Sequence, residues 1–307
     1  MQSRNMYGFL LSLPSLLALL VGLSLTAAMS YFSNKQQEKD AHARFVQEAQ
    51  FIAQTVRRTF EQNRAAAELW FRMCSARPES EDAATDATRV FLQGFPNISS
   101  IEHLIIAKSA DDSRRFSVTD INSLQPLTLN DIKRVTELPE LQPAFDEAWR
   151  SGETIATPVT RINSQNPAYR GEVRYIRRVD DMLIAISFDL EHSLKTAVVD
   201  YKPEGFTLSM FDLMRYASDP LVKLVLPPDG EENIKKRKSW LYSDTLELPE
   251  RQWLLRITPN QAFHDQTNNR YTVTLFISGA IISILLSLLL ARPTRKSGEA
   301  DTDAEGF

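Results

Sequence analysis

Two stretches of this chain contain no Asp, Glu, Lys, Arg or His: the 30 residues from Asn5 to Asn34 and the 21 from Tyr271 to Ala291. A helix needs roughly 20 apolar residues to cross a hydrocarbon core of about 30 Å, so both stretches read as membrane spans. The 238 residues from Ser33 to Arg270 then lie between them, enough chain to bury a substantial core. That layout excludes a cytosolic enzyme, and it excludes a multi-span transporter unless other subunits supply the pathway. The 16 residues after the second stretch, Arg292 to Phe307, hold three basic and four acidic side chains among small polar residues. They read as a disordered tail with no room for an output domain.

Orientation follows from charge. Arg292, Arg295 and Lys296 flank the far end of the second span. Basic residues favour the cytoplasmic side and long loops translocate regardless of charge. Both termini are therefore expected in the cytoplasm, with the enclosed region in the periplasm of a bacterial inner membrane. The first span reads either as an uncleaved anchor or as a signal peptide cut after Thr26-Ala27-Ala28; its apolar length and the interfacial pair Tyr31-Phe32 favour an anchor. The net charge of -4 argues against general nucleic-acid binding. A single cysteine, Cys74, excludes an internal disulfide.

The enclosed region opens without Gly or Pro from Gln36 to Met73 and is rich in Ala, Gln, Glu and Arg, which suits a stalk helix continuing from the first span. Phe45, Ala49, Ile52, Val56 and Phe60 step by 4, 3, 4 and 4, an apolar stripe that runs on through Leu69, Trp70 and Met73. The stripe either packs on its own domain or forms the seam of a parallel homodimer. A second helix, about 82–93, stops at Gly94-Phe95-Pro96. Strands follow at 98–108 and 114–119, then a helix over 129–151 interrupted at Pro139, three more strands at 154–162, 172–179 and 182–189, and a short helix over 189–199. Two strands, a helical excursion and three further antiparallel strands describe a PAS-like unit.

The remainder repeats the idea on a smaller scale, with strands at 206–212, 221–226, 240–246 and 253–258. The expected fold class is α+β: a long stalk helix and two PAS-like antiparallel-sheet subdomains, flanked by two transmembrane helices. By residue, this gives a cytoplasmic N-terminus 1–7, a first span 8–32, a stalk 33–81, a membrane-distal subdomain 82–199, a membrane-proximal one 200–262, a second span 271–291 and a tail 292–307.

Three short pieces resemble CHASE sensor domains, the extracytoplasmic modules of cytokinin receptors and many bacterial kinases and cyclases. Phe95-Pro96-Asn97-Ile98 with Ile101-Glu102 resembles the family's entry to its first strand. Residues 143–153, Pro143 to Glu153, resemble its helix before a strand, and residues 248–259, Leu248 to Pro259, its closing Trp-containing strand. Double Cache sensors share the layout. The resemblance covers most of residues 40–265 and implies a sensory role, with no ligand-contacting residue carried over.

No catalytic pattern is present. The four histidines are scattered, no phosphate-binding or nucleophile-elbow motif occurs, and glycine is only 10 of 307. No enzyme activity, metal or cofactor is expected. Within strand 172–179, period two places Arg174 and Arg178 on one face and Arg177 on the other. Trp149, Tyr169, Arg174, Tyr175 and Arg177 are the candidate ligand contacts, the arginines for an anionic group and the aromatic residues as walls of one cavity; the alternative for the arginines is a solvent-facing role. Lys235 to Lys238 reads as a solvated loop or a lipid-headgroup contact. Two functions follow. One is a membrane-anchored sensory protein that binds a small ligand or periplasmic protein and signals through a separate partner. The other is a structural or assembly subunit of an envelope complex that uses its PAS-like domain as an interaction surface.

Overall fold

A 63-residue helix, α1 (Leu13–Ser75), dominates the computed structural model, which describes residues 13–76, 81–108, 114–123, 137–161, 171–201, 203–214, 220–226, 240–267 and 271–290. The chain divides into two compact units, residues 1–43 with 267–307, and residues 44–266.

The described residues of the first unit are helical. Among the described residues, one helix, α1, is long and apolar enough to cross a membrane. The expected second span corresponds to α6 (Tyr271–Leu290), whose apolar stretch Val273–Leu289 is shorter. Within this unit the two helices approach through small residues. A Cβ on Gly22 would lie 2.5 Å from Ser283 Oγ, and one on Gly279 would lie 2.5 Å from Thr26 Cγ2. Ser287 Oγ also donates to the Ser15 carbonyl at 3.0 Å. The pairs ascend along α1 as they descend along α6, so the helices are antiparallel. Gly279, Ser283 and Ser287 therefore lie on one helix-packing face.

The second unit begins on the remainder of α1. Phe45, Ala49, Ile52, Val56 and Phe60 are all buried, and they pack on their own domain. Beyond Phe60 the stripe departs from its expected course. Ala66, Ala67, Trp70 and Phe71 are buried, whereas Leu69 and Met73 are 48% and 40% exposed. The reason is geometric: at 3.6 residues per turn the face inward at Phe60 returns near residues 67 and 71, not 69 and 73.

Helix α2 (Glu81–Gly94) leads into β1 (Ile98–Lys108) and β2 (Arg114–Ser123). After α3 (Gln142–Ser151) come β3 (Ile155–Ala156), β4 (Thr160–Arg161), β5 (Gly171–Val179), β6 (Met182–Asp189) and α4 (Leu190–Val198). The expected strand over 154–162 is thus two short pieces, both paired with β5. Of the helix expected over 129–151 the described part is α3; the earlier portion, the 110–113 turn and Lys235 to Lys238 lie outside the described residues. Gly152 ends α3 in the left-handed region with φ 69°, as a helix stop requires.

The distal sheet is antiparallel in the order β2-β1-β6-β5-β3, with β4 also on β5. Its two faces are covered differently. Ile101, Ile186, Phe188, Val173 and Tyr175 join the core built on α1, while Leu104, Leu183, Ala185 and Ile176 join a second cluster with Phe145 and Ala148 of α3.

The proximal sheet, order β8-β7-β10-β9, comprises β7 (Phe206–Asp212), β8 (Val222–Leu226), β9 (Tyr242–Leu248) and β10 (Arg251–Pro259). The following helix, α5 (Gln261–Thr267), begins at Asn260, whose N–H donates to the Gly205 carbonyl. Gly205 has φ 90°, and a Cβ there would meet Phe263 N at 2.4 Å, so only glycine fits. Phe45 stacks on Phe206 at 6.1 Å and meets Phe263 at 6.0 Å, and Phe60 meets Trp253 edge-on at 5.8 Å. One helical stripe therefore buries faces of both sheets.

Candidate functional site

Strand β5 is flanked on both sides, so every second residue faces a different environment. Arg174 points to the α3 side and is fully buried among polar groups. Its Nε donates to Glu102 Oε2 at 3.2 Å and its Nη1 to Thr160 Oγ1 at 2.5 Å. Glu102, on β1 two strands away across β6, also accepts from Ser187 Oγ at 2.7 Å and Ser100 Oγ at 2.9 Å. Antiparallel pairing brings these groups together: Arg174 lies opposite Ser187 across β5 and β6, and Ser187 opposite Ser100 across β6 and β1.

Two atoms of the cluster remain unmet. Arg174 Nη2 lies 3.7 Å from Glu172 Oε2, too far for a hydrogen bond. Neither atom has another hydrogen-bond partner among the described residues. Burial pushes the Glu172 carboxyl up to about 7; Arg174 and a hydrogen bond from the Ser99 side chain oppose the shift, while the Glu102 and Asp189 charges add to it. Asp189 is also buried and caps α4, accepting the His192 N–H at 2.9 Å. Glu102 and Glu172 thus flank one buried guanidinium, with the Asp189 charge acting on Glu172. Buried charge without full compensation is costly, and such perturbed groups concentrate at functional sites.

The other sequence candidates fall elsewhere. Tyr169 lies outside the described residues. Tyr175 faces α1, with its ring 5.1 Å from Phe188, and it lines a cleft of about 390 Å3 with Arg57, Phe60, Arg64 and Thr245. Burial pushes its phenol well above the usual range. Arg177, on the same face, donates to Glu68 Oε2 at 2.7 Å, and Glu68 Oε1 accepts from Thr154. Trp149 lies on the opposite face, 6.1 Å from Phe116 with the Arg178 guanidinium 4.4 Å above its ring. The expectation that Trp149 and Tyr175 wall one cavity is therefore corrected: β5 separates them, because residue 175 and the Trp149-facing Arg178 differ by an odd number of positions.

Arg174 is the one sequence candidate in the cluster. Glu102 and Glu172 were missed, although a lone carboxylate inside an apolar strand was the available signal for Glu102. Among the described residues no group of three or more His, Cys, Asp or Glu side chains is placed to hold a metal ion. The Cys74 thiol is pushed up to about 11 by burial, which leaves it a poor nucleophile.

No protein-family model and no curated protein matches this chain. Among solved structures it is similar to the periplasmic sensory domain of the Campylobacter jejuni chemoreceptor Tlp1, at 12% identity and TM-score 0.46, over 74% of this chain and 98% of that one. It is similar also to the sensory domain of the C. jejuni chemoreceptor Tlp3, at 12% identity and TM-score 0.41, over 78% and 99%. A third is the ligand-binding domain of the Pseudomonas aeruginosa PAO1 amino acid chemoreceptor PctC in complex with GABA, at 13% identity and TM-score 0.41, over 70% and 98%. None of the three is described as a CHASE domain.

Proposed function

We propose that this protein is a membrane-anchored sensory protein whose distal sheet binds a small ligand bearing an ammonium group at Glu102, Glu172 and Arg174. The observation behind this reading is the buried Glu172 carboxyl, whose Oε2 has no hydrogen-bond donor among the described residues. A ligand ammonium group there supplies that donor. An organic acid would add a further negative charge to the site. The anionic ligand expected for the arginines is accordingly replaced by a cationic or zwitterionic one.

The anchor in this reading is a pair of spans. Helix α6 has 20 residues, about 30 Å at 1.5 Å per residue, which matches a hydrocarbon core. Its antiparallel packing on α1 suits two passes with both termini on the cytoplasmic side. In this reading a change at the distal sheet passes along the chain to the membrane segment, and from there to a signalling partner.

The test is calorimetric titration of the detergent-solubilised full chain with a panel of primary amines and zwitterionic amino acids. A member of the panel should bind the native protein and lose at least 10-fold in affinity on Glu172→Gln. Equal binding by the variant sinks the assignment of the site. Reporter fusions at both ends test the topology, and a periplasmic signal from either end contradicts it.

A further inference from the structure

Among the described residues β9 is an edge strand of the proximal sheet, and its pairing with β10 fixes which backbone groups stay outside the ladder. Leu248 lies opposite Arg251 across a two-residue turn, and residues so placed exchange both N–H···O bonds. Bonded pairs then recur at every second position, at Leu246 and Asp244. The N–H and C=O groups of the intervening Thr245 and Glu247 therefore point away from β10, toward the open edge.

That edge is closed at two places and open between them. The Asp244 side chain accepts the Thr245 N–H at 2.9 Å, and Arg57 of α1 donates to the Thr245 carbonyl at 3.4 Å. Beyond the strand, the Pro249 carbonyl accepts the N–H of Ala156 on β3 at 3.0 Å. Between these ties, neither backbone group of Glu247 is hydrogen-bonded to a described residue. Glu247 lines the cleft of about 390 Å3 that Tyr175 also lines. From Thr245 to Pro249 the strand covers about 13 Å, room for an added strand of about two or three residues.

The helix wall of the cleft adds charge. Arg57, Glu61, Arg64 and Glu68 step by 4, 3 and 4 along α1 and share one face. The outer two tie the helix to the sheets, Arg57 to Asp244 on β9 and Glu68 to Arg177 on β5, each at 2.7 Å. The inner two line the cleft and make no ion pair with a described residue. Arg64 offers the forked donors that suit a carboxylate, while the Glu61 and Glu247 charges weigh against a ligand with more than one. Beneath them the floor is buried, formed by Phe60, Tyr175 and Leu246.

We propose that β9 takes a short extended peptide as an added strand, in which one residue exchanges both backbone hydrogen bonds with Glu247 and the terminal carboxylate rests on Arg64. Strand addition of this kind draws its affinity from main-chain hydrogen bonds. The site is separate from the ammonium site: it lies on the α1 side of the distal sheet, and it requires no cation on the ligand.

The experiment is calorimetric titration of the detergent-solubilised full chain with N-acetyl-dialanine, whose blocked amine keeps it from reporting on the ammonium site. Its first residue carries the paired N–H and C=O, and its second the carboxylate. The probe should bind saturably at one site, with equal affinity for Glu172→Gln. Glu247→Ala keeps the backbone N–H and should bind at least as tightly as the native protein. Glu247→Pro removes that N–H without touching a ladder bond, and should bind roughly 3- to 10-fold more weakly than Glu247→Ala, the value of one net hydrogen bond. The analogue N-methylated at its first residue should lose a similar factor on the native protein. The C-terminal amide should bind more weakly than the acid, and Arg64→Gln should erase that difference. The proposal is overturned by absence of saturable binding, by loss of binding on Glu172→Gln, by equal binding to Glu247→Pro and Glu247→Ala, or by an acid preference that survives Arg64→Gln. Should circular dichroism show that Glu247→Pro does not fold, the N-methylated probe replaces it, and undiminished binding of that probe overturns the proposal.

Discussion

Glu172 shows how a single residue links burial to pH. Its folded pKa, about 7, stands above the ordinary value of 4.5, so the native state holds a proton that the unfolded chain releases between those values. The unfolded state then binds fewer protons, and stability falls as pH rises from about 4.5 to about 7, with the full penalty present above that. Glu172→Gln removes this dependence. Urea unfolding at pH 5 and pH 8 should show the wild-type protein losing about 2–3 kcal/mol more than the variant; identical slopes would mean that Glu172 ionises normally. Arg174→Met has the opposite character. It leaves Glu102 and Glu172 buried without the guanidinium they face, and should destabilise the protein by about 3–5 kcal/mol in the same assay at pH 8. The arginine was legible as a candidate because it lies in an obvious strand. Its role was not, because the partner Glu102 is 72 residues away.

At the scale of elements, periodicity was informative and coverage was not. The α1 stripe, the strands of both sheets and the stop at Gly152 follow from local pattern, since amphipathic spacing and turn chemistry act over a few residues. Strand 154–162 was too long because Pro158 interrupts the ladder, leaving pieces at 155–156 and 160–161. Close packing of α1 on α6 yields a direct prediction. A Cβ on Gly279 would lie 3.2 Å from Thr26 Cβ, near the separation of about 3.5–4.5 Å that a disulfide requires. In a Cys74→Ser background, Thr26→Cys with Gly279→Cys should cross-link under mild oxidation. After proteolysis between the helices the two fragments should migrate together unless reduced. Gly22→Leu should weaken the same cross-link by holding the helices apart, and an unchanged yield would argue against this packing.

At the scale of the whole molecule, residues 44–266 form one compact unit because both sheets bury a face against the same helix. Phe45 serves the proximal aromatic cluster, Phe60 reaches Trp253, and Trp70 meets Phe91. Each such aromatic contributes roughly 1.5–3 kcal/mol through burial, and each sheet loses the core on its α1-facing side if the helix is removed. A fragment of residues 44–266 should unfold in a single cooperative transition by calorimetry. A fragment of residues 82–266, without the stalk, should show no such transition; separate melting of the two sheets would contradict a shared core. The stalk stripe is thus occupied by its own domain over most of its length.

The amino-acid order alone determined the uncharged runs, the uninterrupted stalk, the α+β class and the division into a larger and a smaller sheet, because each rests on composition or on periodicities of two to four residues. It could not reveal which face of β5 meets α1 and which meets α3. Period two separates Arg174 from Tyr175 but is silent about what lies opposite either. Pairing across strands distant in sequence decided that, placing Arg174 in a charge cluster and Tyr175 and Arg177 against the stalk, with Trp149 on the far side of the sheet.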